Sequence, residues 1–175
     1  TLRELLASPY HEYRLTALLA LTYRYAKFKD LASREACVNF YVSQVDAINN
    51  WDLVDLSCYK ILGHWLFDKD KQLLYDWAKE DHLWKQRIAM ITCMHFVKQG
   101  EFKDALAIAD LLQHHPHDLI HKAVGWILRE IGKENEQLLV DYLTPRYKEM
   151  PRTMLRYAIE RFEEGKRKAF LHSKV

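Results

Sequence analysis

The sequence predicts an all-α protein, an α-solenoid of HEAT-like helix pairs with a concave basic groove. Three observations predict it. Hydrophobic residues make up 49% of the chain while only five residues are Gly and four are Pro, a composition that suits helices and disfavours disorder or a β-sandwich. Apolar residues recur at helical spacing in block after block, separated by short joints such as "KFKD", "KQGE", "QHHPHD" and "EMP", which carry the Gly, Pro, Asp and basic residues of helix ends. Every second block also aligns on an early interior polar residue: Arg14, Asp52, Arg87, Lys122 and Arg156 follow one another in steps of 38, 35, 35 and 34 residues. A period in that range, with one helix pair per repeat, marks an α-solenoid. The Trp, Gly-Tyr and Ala-Phe pattern of tetratricopeptide repeats does not recur.

Cap signals and apolar spacing place helices near residues 10–28, 32–48, 51–68, 71–80, 82–99, 102–114, 118–134, 136–149 and 151–163. The aligned series runs through "HEYRLTALLAL", "NWDLVDLSCYK", "LWKQRIAMITC", "LIHKAVGWILR" and "TMLRYAIERF". In the second of these, Asn50 reads as the N-cap, Asp52 favours the positive end of the helix dipole, and Val54, Cys58, Ile61, Leu62 and Trp65 form an apolar stripe. A chain of 175 residues fits one repeat domain, 1–175. It begins at Thr1 rather than Met, so residues are expected to be missing at its N-terminus.

The charge balance is nearly even, 26 Lys and Arg against 24 Asp and Glu, so distribution must reveal any polyanion partner. If the aligned helices line the concave side, they bring Arg14, Lys85, Arg87, Lys122, Arg129, Arg152 and Arg156 to one surface, with the acids mostly elsewhere in "DKDK", "KEDH", "EFKD" and "ERFEEG". Such a surface would track phosphates. Solvated helix starts would give the same pattern of charge.

Cys37, Cys58 and Cys93 are odd in number and form no CxxC, which points to a reducing compartment, the cytoplasm. No apolar run is long enough to cross a bilayer. His114, His115, His117 and His121 cluster at one joint, but without Cys or carboxylate at a recognised ligand spacing they read as a solvated loop and not a metal site. Neither GxGxxG, a phosphate-binding Gly-Lys-Ser/Thr loop, GxSxG nor HExxH occurs, so no cofactor is expected and the common nucleophile mechanisms lack support.

One constellation resists the bland reading. Trp51 and Asp55, four residues apart, share a helix face, and Arg87 on the next aligned helix sits between Trp84 and "IAMI". On the helix after that, Lys122, Trp126 and Arg129 share a face, and Gly125 costs about 1 kcal/mol of helix stability relative to Ala, so something approaches there closely, either a helix or a ligand. Asp55 and Arg87 are as compatible with a plain ion pair as with chemistry.

The motifs "SPYHEYRLTALLAL", "NWDLVD", "LWKQRIAM" and "HKAVGWILRE" resemble the DNA alkylation repair family, the AlkD-like glycosylases built from HEAT-like repeats, over about Ser8 to Arg161. The WxxxD, WxxR and GWxxRE elements stand in the family's order. The resemblance implies that Asp55 is the catalytic carboxylate, that Trp51 and Trp126 contact the sugar-phosphate of the lesion nucleotide, and that Arg87 assists at the DNA backbone. It implies a monomeric glycosylase acting on 3-methyladenine, 7-methylguanine and related cationic purines in duplex DNA during base excision repair, nucleoid-associated when bound, without enclosing a flipped base. The family also has additional N-terminal helices and an aromatic contact, which the matching motifs do not place in this chain. The competing reading is a non-catalytic solenoid that binds DNA or a protein partner.

Overall fold

A computed structural model describes residues 1–172, and among these there is no strand. The first helix, α1 (Leu2–Leu6), was not anticipated from spacing, but Thr1 and Glu4 close a reciprocal capping box over it. Next come α2 (His11–Lys27) and α3 (Leu31–Ser43), the latter capped by Asp30, whose side chain accepts from the Ser33 amide. The expected block 32–48 breaks at Gln44, and a single 3-10 turn, Val45–Ala47, completes it.

The block beginning at Asn50 is one helical run in three parts: α4 (Trp51–Cys58), a π-turn (Tyr59–Gly63) and α5 (His64–Leu66). Its predicted stripe is in the core, with Val54, Cys58, Ile61 and Leu62 fully buried, while Trp65 is half-buried under the Lys69 ammonium, 4.4 Å from the ring centroid. Then follow α6 (Gln72–Lys79), α7 (Leu83–Lys98), α8 (Lys103–Leu112) and α9 (Asp118–Glu134). The expected helix 136–149 ends early, as α10 (Glu136–Leu143), because Pro145 has no amide N–H with which to carry the helical hydrogen bonds onward. The chain closes with α11 (Arg152–Ala158), shorter than the expected 151–163, and α12 (Glu164–Leu171), which the apolar pattern did not reveal and which Glu163 caps by accepting from the amides of Gly165 and Lys166.

The chain divides into two compact units, Thr1–His95 and the residues from Phe96 onward. In the first, α2 packs against α1, α3 and α4 around Leu18, Tyr41, Leu53 and Ile88, all inaccessible to solvent. The Tyr41 hydroxyl lies 2.9 Å from Ser57 Oγ, and Ser57 donates to the Leu53 carbonyl at 2.6 Å, so these buried polar atoms are satisfied. In the second unit α9 is central and packs against α8, α10 and above all α11.

Within each unit, then, members of the aligned series lie side by side: α2 with α4, and α9 with α11. Gly125 explains the second contact. A Cβ built there would stand 2.5 Å from Tyr157 Cβ and 2.6 Å from the Met154 carbonyl oxygen. The close approach inferred at Gly125 is made by a neighbouring helix, α11.

Candidate active site

The first turn of α4 presents Trp51 and Asp55 as their spacing requires. Asn50 accepts from the Trp51 amide at 2.8 Å, and the Trp51 ring stays 52% exposed. Asp52 has a second task beyond the dipole: Oδ1 accepts from the Leu53 amide, and Oδ2 lies 2.7 Å from Nε2 of His11. That contact ties the start of α4 to the start of α2. The sequence reading missed His11, whose one signal was its place in the first turn of an aligned helix.

One turn further in, the Asp55 carboxylate meets Arg87 of α7 in a two-point pair, Nε to Oδ1 at 2.9 Å and Nη2 to Oδ2 at 2.7 Å. The side chains are only 14% and 5% exposed. Burial pushes the Asp55 carboxyl above its ordinary range, and the hydrogen bonds and charge of Arg87, opposed by the Asp52 charge, draw it back in part. The resemblance places Arg87 at the DNA backbone. With two of its three nitrogens on Asp55 and almost no exposed surface, its geometry is that of a group that fixes the orientation of a carboxylate.

In the second unit Trp126 is half-buried on α9. Lys122 pairs with Asp118 one turn back at 2.7 Å, and Arg129 reaches Glu130 at 3.5 Å and also Glu160. Arg152 donates to the Leu171 carbonyl at 3.0 Å, and Arg156 is exposed. In the first unit Arg14 donates to the carbonyls of Ser8 and Pro9 at 2.8 and 3.1 Å, and Lys85 pairs with Glu80 at 2.5 Å.

These contacts correct the expectation that the acids lie elsewhere. Glu80 belongs to "KEDH" and Glu160 to "ERFEEG", yet each carboxylate pairs with a cation of the aligned series. A helical face is shared by residues three or four apart and by the neighbouring helix, so separation in sequence does not separate charges in space.

The histidines of the 114–121 joint fasten that joint. His117 caps α9 by accepting from the Leu119 amide at 3.1 Å, Nδ1 of His115 accepts from the His117 amide at 3.0 Å, and His121 Nε2 lies against the His115 carbonyl.

A family model described as DNA alkylation repair enzyme matches residues 1–162. The chain belongs to this family. A solved structure, a predicted DNA alkylation repair enzyme from Enterococcus faecalis, is similar to it with a TM-score of 0.73 at 16% identity, over 93% of this chain and 74% of that one. At that identity the likeness is one of fold. No curated protein matches the sequence. The family makes DNA the substrate to consider, and among the described residues no helix is long and apolar enough to cross a membrane.

Proposed function

We propose that this member of the family is a DNA glycosylase that hydrolyses the N-glycosidic bond of cationic alkylated purines, such as 3-methyladenine and 7-methylguanine, in duplex DNA during base excision repair. The observation that carries the reading is the Asp55 carboxylate, clamped at two points by Arg87 one turn behind the exposed Trp51 indole. Alkylation at N3 or N7 leaves a purine positively charged, so the departing base needs no general acid. What remains is to stabilise the oxocarbenium-like sugar and position a water, which one oriented carboxylate can do.

Asp55 takes that role and Arg87 holds it in place. Indole faces attract cations by roughly 0.5–2 kcal/mol, the part given to Trp51 beside the carboxylate and to Trp126 in the second unit. Arg14, Lys85, Lys122, Arg129, Arg152 and Arg156 are the proposed phosphate contacts. Surface ion pairs are worth about 0–1 kcal/mol, so Lys122, exposed together with its partner Asp118, exchanges a carboxylate for a phosphate at little cost. The chain acts as a monomer in the cytoplasm, at the nucleoid when bound, and without enclosing the everted base.

The test is incubation with duplex DNA carrying 7-methylguanine, followed by alkali to cleave at abasic sites. Strand breaks above the spontaneous rate are expected, and their absence would sink the glycosylase reading. The buried pairing of Asp55 with Arg87 favours one alternative, a non-catalytic DNA-binding or protein-binding solenoid in which the pair is structural. That alternative requires folded Asp55→Asn protein to behave as the parent does in every DNA assay.

A further inference from the structure

On the first unit, a cleft of about 410 Å³ is walled by Arg34 of α3, His64 and Trp65 of α5, Asp68 and Lys69 just beyond it, and His95 of α7. None of these residues takes part in the chemistry assigned to Asp55. The ordering of the cleft begins with Tyr25, which is 3% exposed and whose hydroxyl lies 2.8 Å from Nδ1 of His64. Among the described residues that nitrogen is the only hydrogen-bond partner of the phenol. A buried hydroxyl that turned its proton elsewhere would be an unsatisfied donor, so the proton points at Nδ1. Burial keeps it there, with the phenol pushed up to about 12.

The imidazole is thereby fixed in one tautomer, with its own proton on Nε2. The His95 ring, edge-on at 5.5 Å, steadies it. Partial desolvation of the ring and the charge of Arg34, with Lys69 adding to it and Asp68 opposing, hold His64 below the usual imidazole range, which favours the neutral donor. Arg34 is anchored at one end, with Nε donating to the Phe28 carbonyl at 2.9 Å and the guanidinium 5.9 Å from the Tyr25 ring centroid. Among the described residues nothing bonds its two terminal nitrogens or Nε2 of His64. Lys69 lies over Trp65 and pairs at 2.9 Å with Asp68, a carboxylate 76% exposed. An exposed pair of this kind gives way readily to a better anion.

We propose that the terminal nitrogens of Arg34, Nε2 of His64 and Nζ of Lys69 form a binding site for a phosphate group. The site sets two charged donors and one neutral, tautomer-locked donor around a cleft, and the guanidinium supplies a planar fork matched to two phosphate oxygens. Asp68 is the one opposing charge, and it is already engaged by Lys69.

The site is tested by titrating full-length protein with inorganic phosphate and, separately, with a short duplex oligonucleotide, following the side-chain nitrogens of His64 and Arg34 by NMR. Saturable shifts at both residues are expected. Arg34→Gln should weaken binding by about tenfold, the scale of one lost charge-assisted contact. Tyr25→Phe should release the second tautomer, visible at Nδ1, and weaken binding severalfold in protein whose circular dichroism is unchanged. A response to phosphate alone assigns a free anion, and a response only to the oligonucleotide assigns a backbone phosphate. Absence of shifts with both probes, or parental affinity in Arg34→Gln, would overturn the site.

Discussion

Two seams of the molecule hold neighbouring helices of the aligned series together by different means. Between α9 and α11 the contact is made by omission: Gly125 lets the Met154 carbonyl come where a methyl would stand, and the charges that cross the seam, Arg129 to Glu160, sit at its rim with Glu160 48% exposed. Along the run from α4 to α5 the chain has a glycine too. A Cβ on Gly63 would lie 2.6 Å from His95 Cβ and 2.8 Å from the Thr92 carbonyl oxygen, both on α7. That seam nevertheless carries a charged pair in its depth, Asp55 with Arg87. Close approach is secured in both seams by glycine, so packing gives no reason for the pair. A buried ion pair is a poor investment in stability, and its presence in one seam alone is what directs attention to Asp55 as a working group.

The comparison breaks first at Arg87. Arg87→Ala strands the Asp55 charge in its buried site and should cost roughly 3–5 kcal/mol, read by urea denaturation. A loss below about 1 kcal/mol would mean that the carboxylate is solvated and not clamped.

Next is Asp55→Asn, which removes charge while keeping shape. It should lower stability somewhat, because Arg87 loses the charge of its carboxylate partner, and should slow 7-methylguanine release by folded protein by about 100-fold or more while lesion-DNA affinity stays near parental. Parental single-turnover rates in folded variant protein would return the pair to a structural role. The acid limb of the pH profile adds a second reading. Burial raises the Asp55 carboxyl above 3.8, so the folded protein holds that proton to higher pH than the unfolded chain. This group's contribution to stability therefore falls as pH rises from about 3.8 through the raised value. Excision, which needs the carboxylate, should climb through the same window, and both trends should vanish in Asp55→Asn.

A smaller effect is expected in the other seam. Gly125→Ala gains helix propensity of about 1 kcal/mol but must push the Met154 backbone away, for a net loss of about 1–3 kcal/mol by thermal melting. A variant as stable as the parent would show that α11 yields easily and that the two seams are less alike than the glycines suggest. The smallest change is Glu160→Gln at the rim, expected to alter stability by less than about 1 kcal/mol and, by removing one of the two carboxylates that Arg129 reaches, to steepen the salt dependence of duplex binding. An unchanged salt slope would remove Arg129 from the phosphate contacts.

Much of this was legible in residue order. The helix Asp118–Glu134 was read to the residue because Pro116 and His117 stand before it and Asn135 after it. The four-residue step from Trp51 to Asp55 placed both on one face, and Gly125 announced a close neighbour. The short helices at either end were less visible, since five and eight residues carry too little apolar period, although Thr1 with Glu4 was a readable capping box. Partners were least legible of all. Nothing in the local sequence couples His11 to Asp52, Arg129 to Glu160, or Tyr142 and Arg146 to Asp110, because each contact depends on the stagger of one helix against another. The burial of Arg87 had the same origin.

The π-turn at Tyr59–Gly63 sets one such stagger. Asp55 and Gly63 both face α7, yet positions eight apart on an uninterrupted α-helix point about 80° apart around the axis. Absorbing one extra residue in a wide turn brings them back to within about 20°. The run from Trp51 to Leu66 thus works like a rod with a built-in twist corrector, letting a carboxylate near its start and a glycine near its end address one partner helix. Excising a single residue from Tyr59–Gly63 would force the rod to choose between them, and whichever contact survived would reveal which of the two anchors α7.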